Sequence, residues 1–273
     1  MNILNISHHV NNVSHVSNIL PHPILILLFC SLFILYIGAT IYSNRRYKRW
    51  PFHRTIFWSL GILVALIALT DPLASRAAMD FRAHMLSHLF LGMLAPLLMV
   101  LAAPMTLILR TISIPLARVL SNIIRSWPSR FFTHPIVATL LNIGGLWLLY
   151  SSNIYGLMHE NSLIHLIVHL HLFLAGYLFT VSIIPFDSMF HRKSFLYRSI
   201  VLIFALAGHG ILAKYIYAHP PEGVPLDQAE QGSLLMFYGG DIIDAIIIFL
   251  LCLQWFKATR PRVVGTKGSR EGI

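Results

Sequence analysis

The sequence has 273 residues, of which 56% are hydrophobic and 11% charged, with a formal net charge of +10. So low a charged fraction excludes an ordinary soluble domain, in which about a quarter of the residues are charged. Nucleic acid is excluded as the partner of the basic excess, because Lys and Arg flank apolar runs instead of lining a soluble face with interleaved aromatics.

In chain order, residues 1–21 read as a polar tail rich in Asn, Ser and His, with no basic start before an apolar core and hence no secretory signal. His8, His9, His15 and His22 make that tail either a weak metal-capturing stretch or a merely solvated one. The apolar run from Ile24 to Tyr42 is long enough for a permanent helix. Seven helices are predicted, over about 22–43, 54–70, 82–109, 133–151, 162–184, 196–218 and 233–256. Backbone groups in lipid must pair within their own segment, so these runs are helices and not open sheet. Asp71-Pro72 stops the second helix, and Pro96 with Pro104 predicts a kink or early end in the third. The stretch from Ile114 to Trp127 reads as an amphipathic helix at the membrane interface, since Arg118 and Arg125 punctuate Leu, Val and Ile. No linker or repeat divides the chain. The expected architecture is all-α: one polytopic transmembrane domain over 22–256, followed by a basic tail over 257–273.

Charge sets the expected orientation. Of the 20 Lys and Arg residues, 17 fall in the first, third and fifth connections and the tail, leaving Arg76, Arg82 and Lys214 on the other side. By the positive-inside bias the N-terminus is outside and the C-terminus cytoplasmic. His84 and His88 then begin the third helix at its outer end, and His165 and His169 begin the fifth at the same end. His209 lies in the outer half of the sixth, below Lys214 and His219. Asp241 and Asp244 sit two to three turns into the seventh, and Asp71 caps the outer end of the second.

Each histidine pair has i, i+4 spacing, which stacks two imidazoles on one helix face, as a helix offers two nitrogens to one metal. Ionisable residues inside a membrane span are costly and mark functional sites. His84, His88, His165 and His169 are therefore the candidate metal ligands, with His209, Asp241 and Asp244 as weaker candidates. Imidazole suits copper, zinc, iron and nickel, and thioether favours Cu(I). Met79, Met85, Met158 and Met236 fall on the same side, so copper is favoured, although packing is the readier account of the methionines themselves. Either aspartate could accept a proton from a ligand imidazole. A polar helix-packing network and a proton pathway are the alternatives for the same residues. His171 points away from the His165/His169 face at 100° per residue and serves something else. Cys30 and Cys252 lie in different spans, and no CxxC exists for thiol-based metal transfer. No HExxH, GxSxG or GxxxxGK[ST] is present, so an enzyme is not expected.

The stretch His84-Met85-Leu86-Ser87-His88, running into Leu94-Ala95-Pro96-Leu97 and Ala103-Pro104-Met105-Thr106-Leu107, resembles the CtaG-like cytochrome c oxidase assembly factors. The likeness continues through His165-Leu166-Ile167-Val168-His169 and then Asp227-Gln228, Gly232, Met236 and Gly239-Gly240. It implies a multi-pass protein of the bacterial inner membrane that supports maturation of haem-copper oxidase, through copper delivery to the catalytic subunit. The implied partners are oxidase subunits, periplasmic copper chaperones and the lipid bilayer. Two other readings stay open: a b-type haem held by one histidine of each pair, and a copper or proton transporter with Asp241 and Asp244 on its pathway.

Overall fold

The computed structural model describes residues 21–187 and 192–260. Residues 1–20 and 261–273, and with them most of both expected tails, lie outside the described residues, as does the side chain of His22. Every regular element among the described residues is helical. In chain order these are α1 (Pro21–Arg46), α2 (Phe52–Leu69), α3 (Leu73–Ala77), α4 (Phe81–Leu101), α5 (Pro104–Thr111), α6 (Ile114–Arg125) and α7 (Trp127–Phe132). They continue with α8 (Pro135–Ser151), α9 (Ile154–Glu160), α10 (Ser162–Ile183), α11 (Phe195–Ala218) and α12 (Leu226–Thr259). Among the described residues, six helices are long and apolar enough to cross a membrane, and α8 with α9, bent by 78°, brings the count to seven if the pair is one span. The protein is a polytopic helical membrane protein.

The prolines reshape the third span more than a simple kink would. Pro96 has no N–H to give the ladder. Just before it, Phe90–Leu94 widens into a π turn, closed by the Ala95 N–H reaching back five residues to the Phe90 carbonyl. Pro96 thereby falls in the first turn of the resumed α segment, where its missing donor is tolerated. The helix then ends at Leu101. Ala103 takes a left-handed φ of 51°, and Pro104 opens α5 as a separate helix, so the expected 82–109 span is two elements. Asp187 closes the new start: it accepts the backbone N–H of Met105 (3.0 Å) and Thr106 (2.7 Å) and the Thr106 hydroxyl (2.6 Å). A second π turn, Leu140–Gly144, lies within α8.

Other boundaries move for local reasons. Ser126 is extended and Pro128 falls in the first turn of the helix that follows, so the expected 114–127 helix divides into α6 and α7. No residue of α6 is buried, as an interfacial helix requires. Asp71 does not close α2, whose cap is Thr70; its carboxylate accepts the Ser75 N–H at 3.1 Å and so starts α3. The last helix begins at Leu226, two turns earlier than its apolar run, because Gln228 is drawn into contact with α4. Asp241 and Asp244 consequently lie about four and five turns into the helix, deeper than expected.

α4 is the most enclosed of the spans. It packs against α2, α10 and α12 through glycines that let helices approach closely. A Cβ at Gly176 of α10 would fall on the Gly92 carbonyl of α4, and one at Gly239 of α12 would meet Leu89 at 2.5 Å. The outer helices keep Leu27, Ile34, Leu35, Ile203 and Phe204 exposed, apolar surface suited to lipid.

The two ends of the bundle differ. At the arginine-rich end, Trp50 Nε1 donates to the Tyr36 hydroxyl (3.1 Å), which donates to the Ala102 carbonyl (3.0 Å). Arg110 donates to the Lys48 carbonyl and lies over the Tyr47 ring. At the opposite end, α3, α9 and the starts of α4, α10 and α12 meet.

Candidate metal centre

The opposite end holds a cavity of about 160 Å³, lined by His84 and Ser87 of α4, Met158 and His159 of α9, and Ser162, His165 and His169 around the start of α10. Alanines 68, 74, 77 and 78 complete its wall with methyl groups. The bend between α8 and α9 lays α9 across the bundle, so His159 joins His84, His165 and His169 although it lies on a different helix from them.

Local folding explains how each side chain arrives. Asp80 caps α4: its carboxylate accepts the Arg82 N–H at 2.9 Å and binds the Arg82 guanidinium at 2.7 Å. That guanidinium holds the Asp80 carboxyl below the usual carboxylate range. The Phe81 N–H, orphaned at the helix start, is taken by Gln228 Oε1 at 3.1 Å, and Arg82 also reaches Gln231 at 2.9 Å. Asn161 does the same for α10, accepting the N–H groups of Leu163 and Ile164. Both histidine-bearing helices therefore start at fixed points.

Hydrogen bonds assign two of the tautomers. His169 Nδ1 lies 2.9 Å from the His165 carbonyl, and His159 Nδ1 lies 2.9 Å from the Tyr155 carbonyl. A carbonyl only accepts, so each Nδ1 carries the hydrogen and Nε2 holds the lone pair of a neutral ring. Such an arrangement orients an imidazole for metal. The His165 and His169 rings overlap at 4.1 Å between centroids. His84 is buried, with Nε2 3.0 Å from the Tyr150 hydroxyl and the Tyr155 ring edge-on at 5.1 Å. Its ring is 6.4 Å from that of His159. The imidazoles line the cavity without converging on one point. Among the described residues, no three His, Cys, Asp or Glu side chains already stand close enough to enclose an ion.

Three of the four expected ligands, His84, His165 and His169, thus share one cavity. His88 does not line it. Its ring lies 6.5 Å from Tyr150 and 6.4 Å from His209, one turn deeper. Asp244 is buried and Asp241 exposed, neither at the cavity. Met158 is the methionine at the cavity; Met85 and Met236 are fully buried packing residues and Met79 is exposed. His171 does point the other way: its Nε2 sits 3.1 Å from the Leu141 carbonyl, inside the second π turn. Cys30 and Cys252 are unbridged. The residues that sequence reasoning missed are Tyr150, Tyr155 and Gln228. The first two lie within ten residues of His159, a cluster of polar aromatics that could have been noticed; Gln228 stood out only in the family likeness, with nothing to show its contact with α4.

The described residues form a multi-pass helical membrane bundle with imidazoles gathered around a small cavity at one end. The chain belongs to the cytochrome c oxidase caa3 assembly factor family (Caa3_CtaG), whose family model matches residues 34–258. It is similar to an uncharacterized protein of Mycobacterium leprae, 28% identical over 178 residues that make up 63% of this chain and 27% of that protein. Uncharacterized proteins of Mycobacterium bovis and Mycobacterium tuberculosis are each 29% identical over 151 residues, 53% of this chain and 23% of theirs. The chain spans about a quarter of the length of these curated relatives. No solved structure matches it.

Proposed function

We propose that the protein serves cytochrome c oxidase assembly by holding copper transiently and passing it toward the catalytic subunit of a haem-copper oxidase. Family membership supports the assembly role. The observation that carries the copper reading is the shared cavity of His84, His159, His165 and His169 beside Met158, with two imidazoles already tied through Nδ1. Nitrogen and thioether donors together favour copper over magnesium or calcium. An open set of donors suits transfer, because an incoming ligand can displace them one at a time. No electron need move, and no covalent bond within the protein is made or broken. Binding by a few of the pocket donors and release to a partner's ligands is ligand exchange, not turnover.

The positive-inside bias puts this end on the outer face of a bacterial plasma membrane, where periplasmic copper chaperones and oxidase subunits can reach it. A haem is less well suited to the cavity. At about 160 Å³ it is smaller than the roughly 300 Å³ at which cofactor-sized pockets begin.

Copper analysis of the purified protein tests this reading, together with oxidase activity in a deletion strain complemented by each variant. His84→Ala combined with His169→Ala is expected to lose the pocket copper and to leave the oxidase inactive, while remaining monodisperse in detergent. If the double variant keeps full copper stoichiometry and restores the oxidase, the reading is wrong.

A further inference from the structure

Beneath the cavity, the enclosed pair of His88 and His209 is not accounted for by it. His88 is 3% exposed and His209 4%. Both ring nitrogens of His88, and Nε2 of His209, have no hydrogen-bond partner among the described residues. A neutral imidazole has one N–H and one lone pair, so His88 leaves both a donor and an acceptor unmet in an apolar interior. Native proteins rarely tolerate that without a missing ligand or water.

The surroundings make room for the pair. The ring centroids are 6.4 Å apart with planes inclined by 26°. An ion between two imidazoles whose nitrogens face each other, with bonds of about 2.0 Å and ring radii of about 1.1 Å, holds the centroids roughly 6.2 Å apart. Gly240 lies against His209; a Cβ there would come within 2.5 Å of His209 Cε1. Asp244, 5% exposed, follows Gly240 by four residues and so shares its helix face, one turn on. Two features join the pair to the cavity: His88 follows His84 by one turn of α4, about 6 Å along the axis, and the Tyr150 ring lies beside both His84 and His88.

We propose that His88 and His209 form a second, enclosed site for Cu(I), one turn below the cavity. The choice of ion follows from the number of donors. Zinc takes four ligands in structural sites and three plus water in catalytic ones. Among the described residues, no third His, Cys, Asp or Glu completes such a set here. A monovalent d¹⁰ ion is satisfied by two nitrogens in line. The metal's identity rests on the proposed copper-handling role, whereas the existence of a second site rests on the pair itself. A water bridging the two rings is the competing occupant.

The test is an anaerobic Cu(I) titration of the full chain in detergent against a chromophoric Cu(I) chelator, with X-ray absorption at the copper edge. Wild type is expected to bind two equivalents and His209→Ala one. The pocket variant His84→Ala/His169→Ala is expected to keep one, with two nitrogen neighbours. His209→Met should retain the inner equivalent and add a sulfur neighbour, which neither a water bridge nor a packing role would produce. One equivalent in wild type, kept by His209→Ala, would overturn the inner site and leave the pocket standing. A sole equivalent lost in His209→Ala but kept by the pocket variant would do the reverse. No binding by wild type would overturn both.

Discussion

His84 is held by a phenol that comes from 66 residues away, and that hydroxyl does two jobs. It satisfies a buried ring nitrogen and it fixes the angle at which the imidazole faces the cavity. Tyr150→Phe removes both while leaving the ring's packing in place. Stability is expected to fall by about 1–3 kcal/mol, the usual consequence of a buried polar atom left without its partner. Copper affinity is expected to fall on the order of tenfold, as when an orienting partner of a ligand is lost. Thermal unfolding in micelles and the chelator titration measure the two effects, and an unchanged affinity would detach Tyr150 from the site. The i, i+4 histidines were legible because helical spacing alone puts such residues on one face. Tyr150 and Gln228 were not, since their roles depend on helices that meet across 66 and 147 residues of chain.

At the scale of elements, the helix starts matter most. Asp80 caps the helix that carries both His84 and His88, and its carboxyl is held below 3.8 chiefly by the Arg82 hydrogen bonds. A carboxyl whose folded value is depressed contributes stability above its unfolded value, and that contribution is lost as pH falls through the folded one. Asp80→Asn keeps a capping side chain but removes the charge. The thermal midpoint of wild type should therefore exceed that of the variant above roughly pH 5, and the gap should close as pH drops below 3.8. Circular dichroism melts across that range measure it; a gap independent of pH would assign the effect to the cap geometry alone. Element existence was readable from apolar run length, while several ends were not. The apolar run could not reveal that α12 continues through Asp227, Gln228 and Glu230, because contact with α4 and not hydrophobicity extends it. Pro96 and Pro104 announced a disturbance in the third span, but its form as a π turn and a left-handed Ala103 depends on packing against neighbours.

Across the whole molecule, arginines gather at one end and imidazoles at the other. That polarity gives the orientation a direct test. In a variant with Cys30 and Cys252 replaced by Ser, a cysteine at Ala78 should react with a membrane-impermeant maleimide on intact cells. One at Ser121, on α6, should react only after permeabilisation. The opposite pattern would invert the molecule and put the cavity in the cytoplasm. The sign of this polarity was countable in the sequence; the convergence of three helices on one cavity was not, because it needs the 78° bend that swings α9 into place.

The π turn at Leu140–Gly144 adds a consequence of a different kind. It holds one residue more than an α ladder of the same rise would use. Deleting a residue there would let the ladder close as α with everything beyond it still in phase, whereas deleting one from the regular turns that follow would rotate the rest of α8 by about 100°, carrying Tyr150 off its partner and turning α9 away from the cavity. The fit of the site is therefore written partly in the spacing of the chain. An insertion or deletion in α8, which carries none of the cavity histidines, can undo it with every ligand still in the sequence.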